Sequence, residues 1–274
     1  MTKLIEPKNF SECVGRLRSF FLNKGYLEVH TQNRLSILAA CEDPETVATY
    51  NYNGEIWPLP QTGQMWLEHE LLSDTEKAPG FFCVSTSYRQ EPSPIDGRHE
   101  TIFPMFEFEF PGNFEDLKNM EIELCKHLGF PELDIRTYKE WCIEFETDEL
   151  NNDHERQIHN GMITDFPEFT SPFWNMSRYL GNDGVNMVSR KSDVILGGME
   201  TIGSAARSVN RDQMKESFRT ISDGGYAQLL YDKFGEYRVR KELDDFLRFR
   251  FVPRVGGGIG VTRMISAMIQ ANII

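Results

Sequence analysis

Residues 88–110 read YRQEPSPIDGRHETIFPMFEFEF, and the two halves of the stretch follow different rules. From Phe106 onward the residues alternate. Phe106, Phe108 and Phe110 fall on one face and Glu107 and Glu109 on the other, the period of a half-buried strand. Upstream, FFCVSTSYR at 81–89 is a second extended run. The stretch therefore predicts two strands joined by a Pro/Ser/Gly loop, with Arg89, Arg98 and His99 around that loop. Cations gathered beside a row of carboxylates suit a polyanion held together with a divalent metal. Taken alone, the stretch fits a salt-bridged surface hairpin equally well.

Outward from this hairpin, Phe10, Cys13, Val14, Leu17, Phe20 and Phe21 recur at helical spacing, predicting a helix over 8–25 that stops at Gly25. YLEVHT at 26–31 predicts a short strand. Residues 36–58 carry Pro, Asn and Gly turn signals and read as a mobile or hairpin segment. TGQMWLEHELLS at 62–73 predicts a helix. Asn113 is placed to cap a helix running to Gly129, with Glu115 and Asp116 in its first turn. Residues 147–161 are polar and read as partly helical, and 175–192 are interrupted by Gly, Ser and Asn. SDVILGGMETIG at 192–203 reads as strand, glycine turn and strand, and 208–250 as charged helices. FVPRVGGGIGVTRMISAMIQ at 251–270 reads as a strand or turn entering a glycine-rich loop that opens an apolar helix. No linker divides the chain, which predicts one domain over 1–274.

Bulk properties narrow the function classes. The chain has 274 residues, 40% of them hydrophobic, enough for a sizeable core. A formal charge of −13 argues against a broad nucleic-acid surface, though not against a local cationic pocket. Five scattered cysteines without a CxxC pair fit buried thiols in a reducing cytoplasm. No apolar run reaches the roughly 18–20 residues of a membrane span, and the N-terminus lacks a signal-peptide core. The expected location is cytoplasmic.

GGGIGVTRMI at 256–265 is the second unusual feature. Glycines let a backbone approach a ligand, a helix N-terminus favours anions, and Arg263 in the first turn is a fixed charge for a phosphate or a flat base. Tight helix packing explains many such runs. No strand–loop–helix nucleotide unit surrounds this one, so a Rossmann reading fails.

Taken together, YRQE with RHETIFPMFEFEF, and GGGIGVTR near the C-terminal end, resemble motifs two and three of class II aminoacyl-tRNA synthetases. FFLNKGYLEVHT resembles motif one of the aspartyl/asparaginyl branch, and TGQMWLE its amino-acid-binding segment. DHERQI, TDFP and SPFW resemble the middle of the core, SDVILGGMETIG its metal-binding strand pair, and FLRFRFVPRVGGG the approach to motif three. The resemblance spans almost the whole chain. It implies an α+β fold, an antiparallel sheet flanked by helices, dimeric through residues 8–35.

The same resemblance implies roles. Arg89 matches the arginine that binds the substrate carboxyl and the α-phosphate, Glu91 a glutamate near the adenine edge, and Arg98 and His99 the pair on the γ-phosphate. Phe103 and Arg263 match the groups on the two faces of adenine, with Arg89 and Arg263 as the catalytic cations. Asp193 and Glu200 match the carboxylates that hold Mg²⁺ on the phosphates of ATP; in isolation they read as two acidic residues on neighbouring strands. Gln64 matches the residue on the substrate α-amino group and Arg248 the one gripping the side chain of aspartate or asparagine. Leu67 and Glu68 make that pocket asparaginyl-like.

Departures from the pattern are Gln32 for the motif-one proline, Ile102 for a glutamate, Gly203 for a serine, Ala205 and Ala206 for polar residues, Arg254 for a histidine and Thr262 for a glutamate. The sequence begins at the catalytic core, without the anticodon-reading OB-fold of this branch. With the acidity, that disfavours tRNA as partner and points to asparagine synthetase-related paralogues that activate aspartate with MgATP and transfer it to ammonia or another amine. Transfer to a tRNA, peptide or small amine, and a non-catalytic amino-acid or nucleotide sensor, are the competing readings.

Overall fold

The computed structural model describes residues 5–32, 35–37, 46–94, 100–170, 172–181 and 184–274. In chain order the elements are α1 (Pro7–Asn23), β1 (Leu27–Glu28), β2 (Thr49–Tyr52), β3 (Glu55–Pro58), α2 (Gln64–Ser73), β4 (Phe81–Tyr88) and β5 (Ile102–Pro111). Then follow α3 (Phe114–Leu128), β6 (Asp134–Thr137), α4 (Tyr138–Glu144), α5 (Asn152–Glu155), β7 (Asn160–Pro167), β8 (Arg178–Leu180), β9 (Met187–Leu196) and β10 (Met199–Ala206). Three helices, α6 (Arg211–Thr220), α7 (Gly225–Phe234) and α8 (Glu236–Phe246), precede β11 (Arg254–Gly260) and α9 (Val261–Gln270).

One sheet organises these elements, in the order β1-β4-β5-β11-β10-β9-β7-β6 with β8 beside β9. Its pairs are antiparallel except β1 with β4 and β6 with β7. The fold is α+β, an antiparallel sheet flanked by helices, as predicted. β2 and β3 form a separate hairpin within the segment that carried turn signals.

The β4–β5 hairpin pairs Phe82 with Phe108 and Val84 with Phe106, and β5 continues onto β11. Phe106, Phe108 and Phe110 turn toward α1, where the Phe21 ring stacks on those of Phe106 and Phe108 at centroid separations of 5.2 Å. Together with α3 and α9, α1 closes a core over this face of the sheet. Truncating a ring at such a position costs roughly 3–5 kcal/mol. The opposite face differs from the half-buried strand that the alternation predicts. Glu107 and Glu109 are 2% and 0% exposed, because β5 lies inside the sheet and α2 packs over that side.

Local signals set most helix ends. The Asn113 side chain accepts from the backbone N–H groups of Glu115 and Asp116, Asp116 returns a bond to Asn113 N, and Gly129 ends α3 in the left-handed region at φ 103°. The polar stretch 147–161 yields only the single turn α5, and the interrupted stretch 175–192 contains β8 and the start of β9.

The largest difference from expectation lies at GGGIG. It is the strand β11, running straight into α9 without a loop. Its glycines answer to close approach rather than to turning. A Cβ on Gly256 would meet Glu109 Oε2 and the Phe108 carbonyl oxygen, and one on Gly257 would lie 2.5 Å from Ser204 Cβ. Side chains on this strand would wedge its neighbours apart.

Behind the sheet, Glu121 of α3 is fully buried and accepts from Ser192 Oγ at 2.9 Å. Burial pushes its carboxyl up to about 7, against the pull of the Ser204 and Ser192 hydroxyls. A carboxyl that holds its proton more tightly folded than unfolded makes stability fall as pH rises from the ordinary carboxylate range through about 7. Glu121→Gln is expected to remove that component. Thermal unfolding at a series of pH values from acid to mildly alkaline should show the variant gaining on the wild type by up to roughly 3 kcal/mol.

Candidate active site

The open face of the sheet, beyond the ends of β4, β10 and β11, holds a cavity of about 710 Å³. That is the size of small-molecule sites generally. Of the residues singled out in the sequence, Gln64, Arg89, Glu91, Phe103, Glu200 and Arg263 line it. They come from segments separated by up to about two hundred residues, brought together because β4, β5, β11 and β10 are neighbours in the sheet. Arg98 and His99 lie outside the described residues.

Arg89 follows β4 directly. A backbone bridge to Val47 and a bond from its N–H to the Thr101 carbonyl fix it, and its guanidinium sits 5.6 Å from the centroid of the Phe103 ring. Arg263, in the first turn of α9, donates to the Glu200 carbonyl at 2.9 Å and lies 3.7 Å from Glu200 Oε2. Gln64 opens α2. The turn before it is clamped to β5 by Glu107, whose carboxylate accepts from Gly63 N–H at 2.7 Å, Ser85 Oγ at 2.7 Å and the Thr62 hydroxyl. Burial raises the Glu107 pKa, those three bonds and the charge of Arg89 opposing.

Beneath the cavity lies a buried network of four charges. Glu68 accepts from Arg254 Nε at 2.9 Å, Asn175 Nδ2 at 2.7 Å and Gln64 Nε2 at 2.9 Å. Arg207 reaches Glu109 at 3.1 Å and stands 3.9 Å from Glu68. All four side chains are 0–2% exposed. Burial works against the charged form of Glu68, yet Arg254 and then Arg207 outweigh it and hold its pKa below the usual carboxylate value. For Glu109 the balance tips the other way, burial raising it against Arg207.

Two assignments made from sequence change here. Arg248 does not enter the cavity. It follows the end of α8 with its side chain 78% exposed, paired to Asp245 at 2.8 Å. Its side chain points to solvent, away from the residues that line the cavity. The cation that lines the cavity near Gln64 is Arg207. Nothing local marks it, since it follows β10 in a run of small residues, and only the folding of β10 against β11 brings it in. Leu67, read as part of the pocket, packs fully buried with Met65, Leu71 and Trp174 in the core under α2.

Asp193 and Glu200 stand on β9 and β10. Gly203 faces Asp193 across the strands, and a Cβ there would lie 2.6 Å from Glu200 Oε1 and 3.7 Å from Asp193 Oδ1. The missing side chain keeps open the space between the two carboxylates. Among the described residues no set of three or more His, Cys, Asp and Glu side chains converges on a metal position. Magnesium is ordinarily held by one or two carboxylates, with phosphates and waters completing its shell. The pair fits an ion that arrives with a nucleotide.

Comparison with known proteins decides the family. A sequence model of the tRNA synthetases class II (D, K and N) matches residues 7–274. The chain belongs to this family. A search of curated proteins returns no match. Among solved structures, this class II chain is similar to the asparaginyl-tRNA synthetase of Pyrococcus horikoshii complexed with asparaginyl-adenylate, at 20% identity and a TM-score of 0.77, covering 96% of this chain and 64% of that one. The Entamoeba histolytica asparaginyl-tRNA synthetase with asparaginyl-adenylate gives 19% and 0.74, over 96% and 63%. A putative aspartyl-tRNA synthetase from Leishmania major Friedlin gives 15% and 0.74, over 96% and 62%. The chain thus shares their fold and spans less than two thirds of their length.

The charge network sets a test of this synthetase core. Arg254→Met would strand the buried Glu68 carboxylate, and a loss of about 3–5 kcal/mol is expected in urea denaturation. Adding Glu68→Gln to that variant should recover part of the loss, because the uncompensated charge goes with it.

Proposed function

We propose that this chain activates aspartate with MgATP as an acyl-adenylate and passes the acyl group to ammonia or another amine. The observation that carries the reading is the convergence of Gln64, Arg89, Arg207 and Arg263 on one cavity in a class II synthetase core. Similar structures hold asparaginyl-adenylate, which supports an adenylate in the same place here. In the first step a carboxylate oxygen of the amino acid attacks the α-phosphorus and the bond to the β-phosphate breaks, releasing pyrophosphate. In the second an amine attacks the acyl carbon and AMP leaves.

Each residue has a distinct task. Arg89 holds the attacking carboxylate against the α-phosphate and offsets the charge that builds there. Arg263 and Phe103 bracket the base, with Glu91 at its edge. Gln64, its amide anchored on Glu68, presents its carbonyl oxygen to the substrate ammonium. Magnesium, held by Asp193 and Glu200 when it binds with ATP, neutralises phosphate charge. Much of the acceleration comes from holding the reactants in line.

Selection of the amino acid falls to Arg207. Glu68 already accepts four hydrogen bonds from the protein, which fills a carboxylate's capacity. It has none left for a substrate amide, and the cation beside it favours a carboxylate. Aspartate is therefore preferred to asparagine. We also propose a homodimer through α1 and β1, where Leu22 and Leu27 are exposed beside the open edge of the sheet.

Amino-acid-dependent ATP–pyrophosphate exchange across the standard amino acids tests the reading. Aspartate should support exchange, and Arg89→Ala should lower it by at least about a hundredfold. Unchanged exchange in that variant would remove the nucleotide assignment. Adding ammonia, candidate amines or tRNA to the aspartate reaction then identifies the acceptor by AMP release.

The side-chain assignment is tested separately, by calorimetry with a non-hydrolysable ATP analogue present. Arg207→Leu should lose aspartate while retaining the nucleotide, and Arg248→Leu should bind both as the wild type does. Loss of aspartate in the Arg248 variant alone would reverse the assignment.

A further inference from the structure

Lys191 has no part in the motifs read from the sequence, yet it lines the cavity together with Glu200 and is paired with Asp193. It stands two residues before Asp193 on β9, hence on the same face of the strand. Its Nζ is 2.9 Å from Asp193 Oδ2 and 4.3 Å from the centroid of the Phe166 ring, and the side chain is 19% exposed. Across the strands Lys191 faces Ala205 and Asp193 faces Gly203, so no bulky neighbour on β10 crowds the ammonium.

Charge bookkeeping then matters. Asp193 carries Lys191, and Glu200 lies 3.7 Å from Arg263. Each of these two carboxylates already has a protein cation beside it, whereas a site built to hold a divalent ion by itself needs a surplus of negative oxygens. A lysine is a compact charge on a flexible stem with three donors. Resting on Asp193 at the cavity wall, it can turn toward an incoming phosphate without leaving the site.

We propose that Lys191 is a built-in phosphate cation. It pairs with Asp193 and, turned toward a bound nucleotide, supplies on the phosphates part of the positive charge that divalent ions otherwise bring. The inference rests on the nucleotide reading above and deepens it. Its consequence is that nucleotide binding survives removal of magnesium, and that this survival depends on Lys191. Asp193 is then the partner that competes with phosphate for the ammonium.

Calorimetric titration with α,β-methylene ATP, once in EDTA and once in excess magnesium, tests this without reference to turnover. The wild type should bind in both conditions, with affinities within about tenfold of each other. Lys191→Met should lose about tenfold or more in EDTA, the scale of one charge-assisted hydrogen bond, and much less in magnesium. Lys191→Arg should restore the magnesium-free affinity. Asp193→Asn, which releases the ammonium, should bind more tightly than wild type in EDTA. Circular dichroism of each variant controls for folding.

Wild-type binding that requires magnesium, equal EDTA affinities for wild type and Lys191→Met, or weakened EDTA binding in Asp193→Asn would each overturn the role of Lys191 while leaving the nucleotide site intact. Absence of binding by the wild type in both conditions would instead remove the nucleotide reading, and this inference with it.

Discussion

Four buried ionisable side chains constrain the arrangement of this molecule. Glu68, Arg254, Arg207 and Glu109 come from α2, the start of β11, the residue after β10 and β5, and each arginine is paired with a glutamate. Buried ion pairs contribute little net stability compared with well-packed apolar groups, but removing one member is costly. Such a network therefore acts as a specification. α2 must sit over β5 and β11 so that Glu68 meets Arg254, and β11 must carry no side chain at Gly256, where Glu109 lies.

The cavity above inherits its geometry from that floor. Arg207 is aimed by Glu109, and Gln64 is oriented by Glu68. Glu107, one pleat along β5, clamps the turn that starts α2. The ligand-facing groups thus stand on rigid elements whose own partners are buried, which is how a site keeps its shape before anything binds. Two of the altered positions fit the same account. Arg254, which departs from the family's histidine, completes the network, and Gly203 opens the space between Asp193 and Glu200.

Charge distribution reconciles an acidic protein with an anionic ligand. The chain carries a net −13, yet Arg89, Lys191, Arg207 and Arg263 are all brought to one cavity, interleaved with the carboxylates of Glu91, Glu100, Glu107 and Glu200. Confined between low-dielectric walls, these cations act over short distances that bulk salt does not screen well. Overall acidity excludes a broad polyanion-binding face without opposing a nucleotide in a pocket.

By itself the sequence determined the elements and their family. Helical spacing in α1, the Asn113 cap and Gly129 stop of α3, and the alternation in β5 are local signals, and local geometry follows from them directly. Its ordered motifs also named Gln64, Arg89, Phe103, Glu200 and Arg263, which the fold brings to one cavity. Only the tertiary structure decided that GGGIG is a strand, that Glu107 and Glu109 are buried, that Leu67 belongs to the core, and that Arg207 rather than Arg248 enters the cavity. Such outcomes depend on partners far away in sequence, Glu109 on Arg207 and Gly257 on Ser204 among them. Periodicity reports which face of an element a residue occupies. What covers that face is set by the pairing of strands, and no local pattern records it.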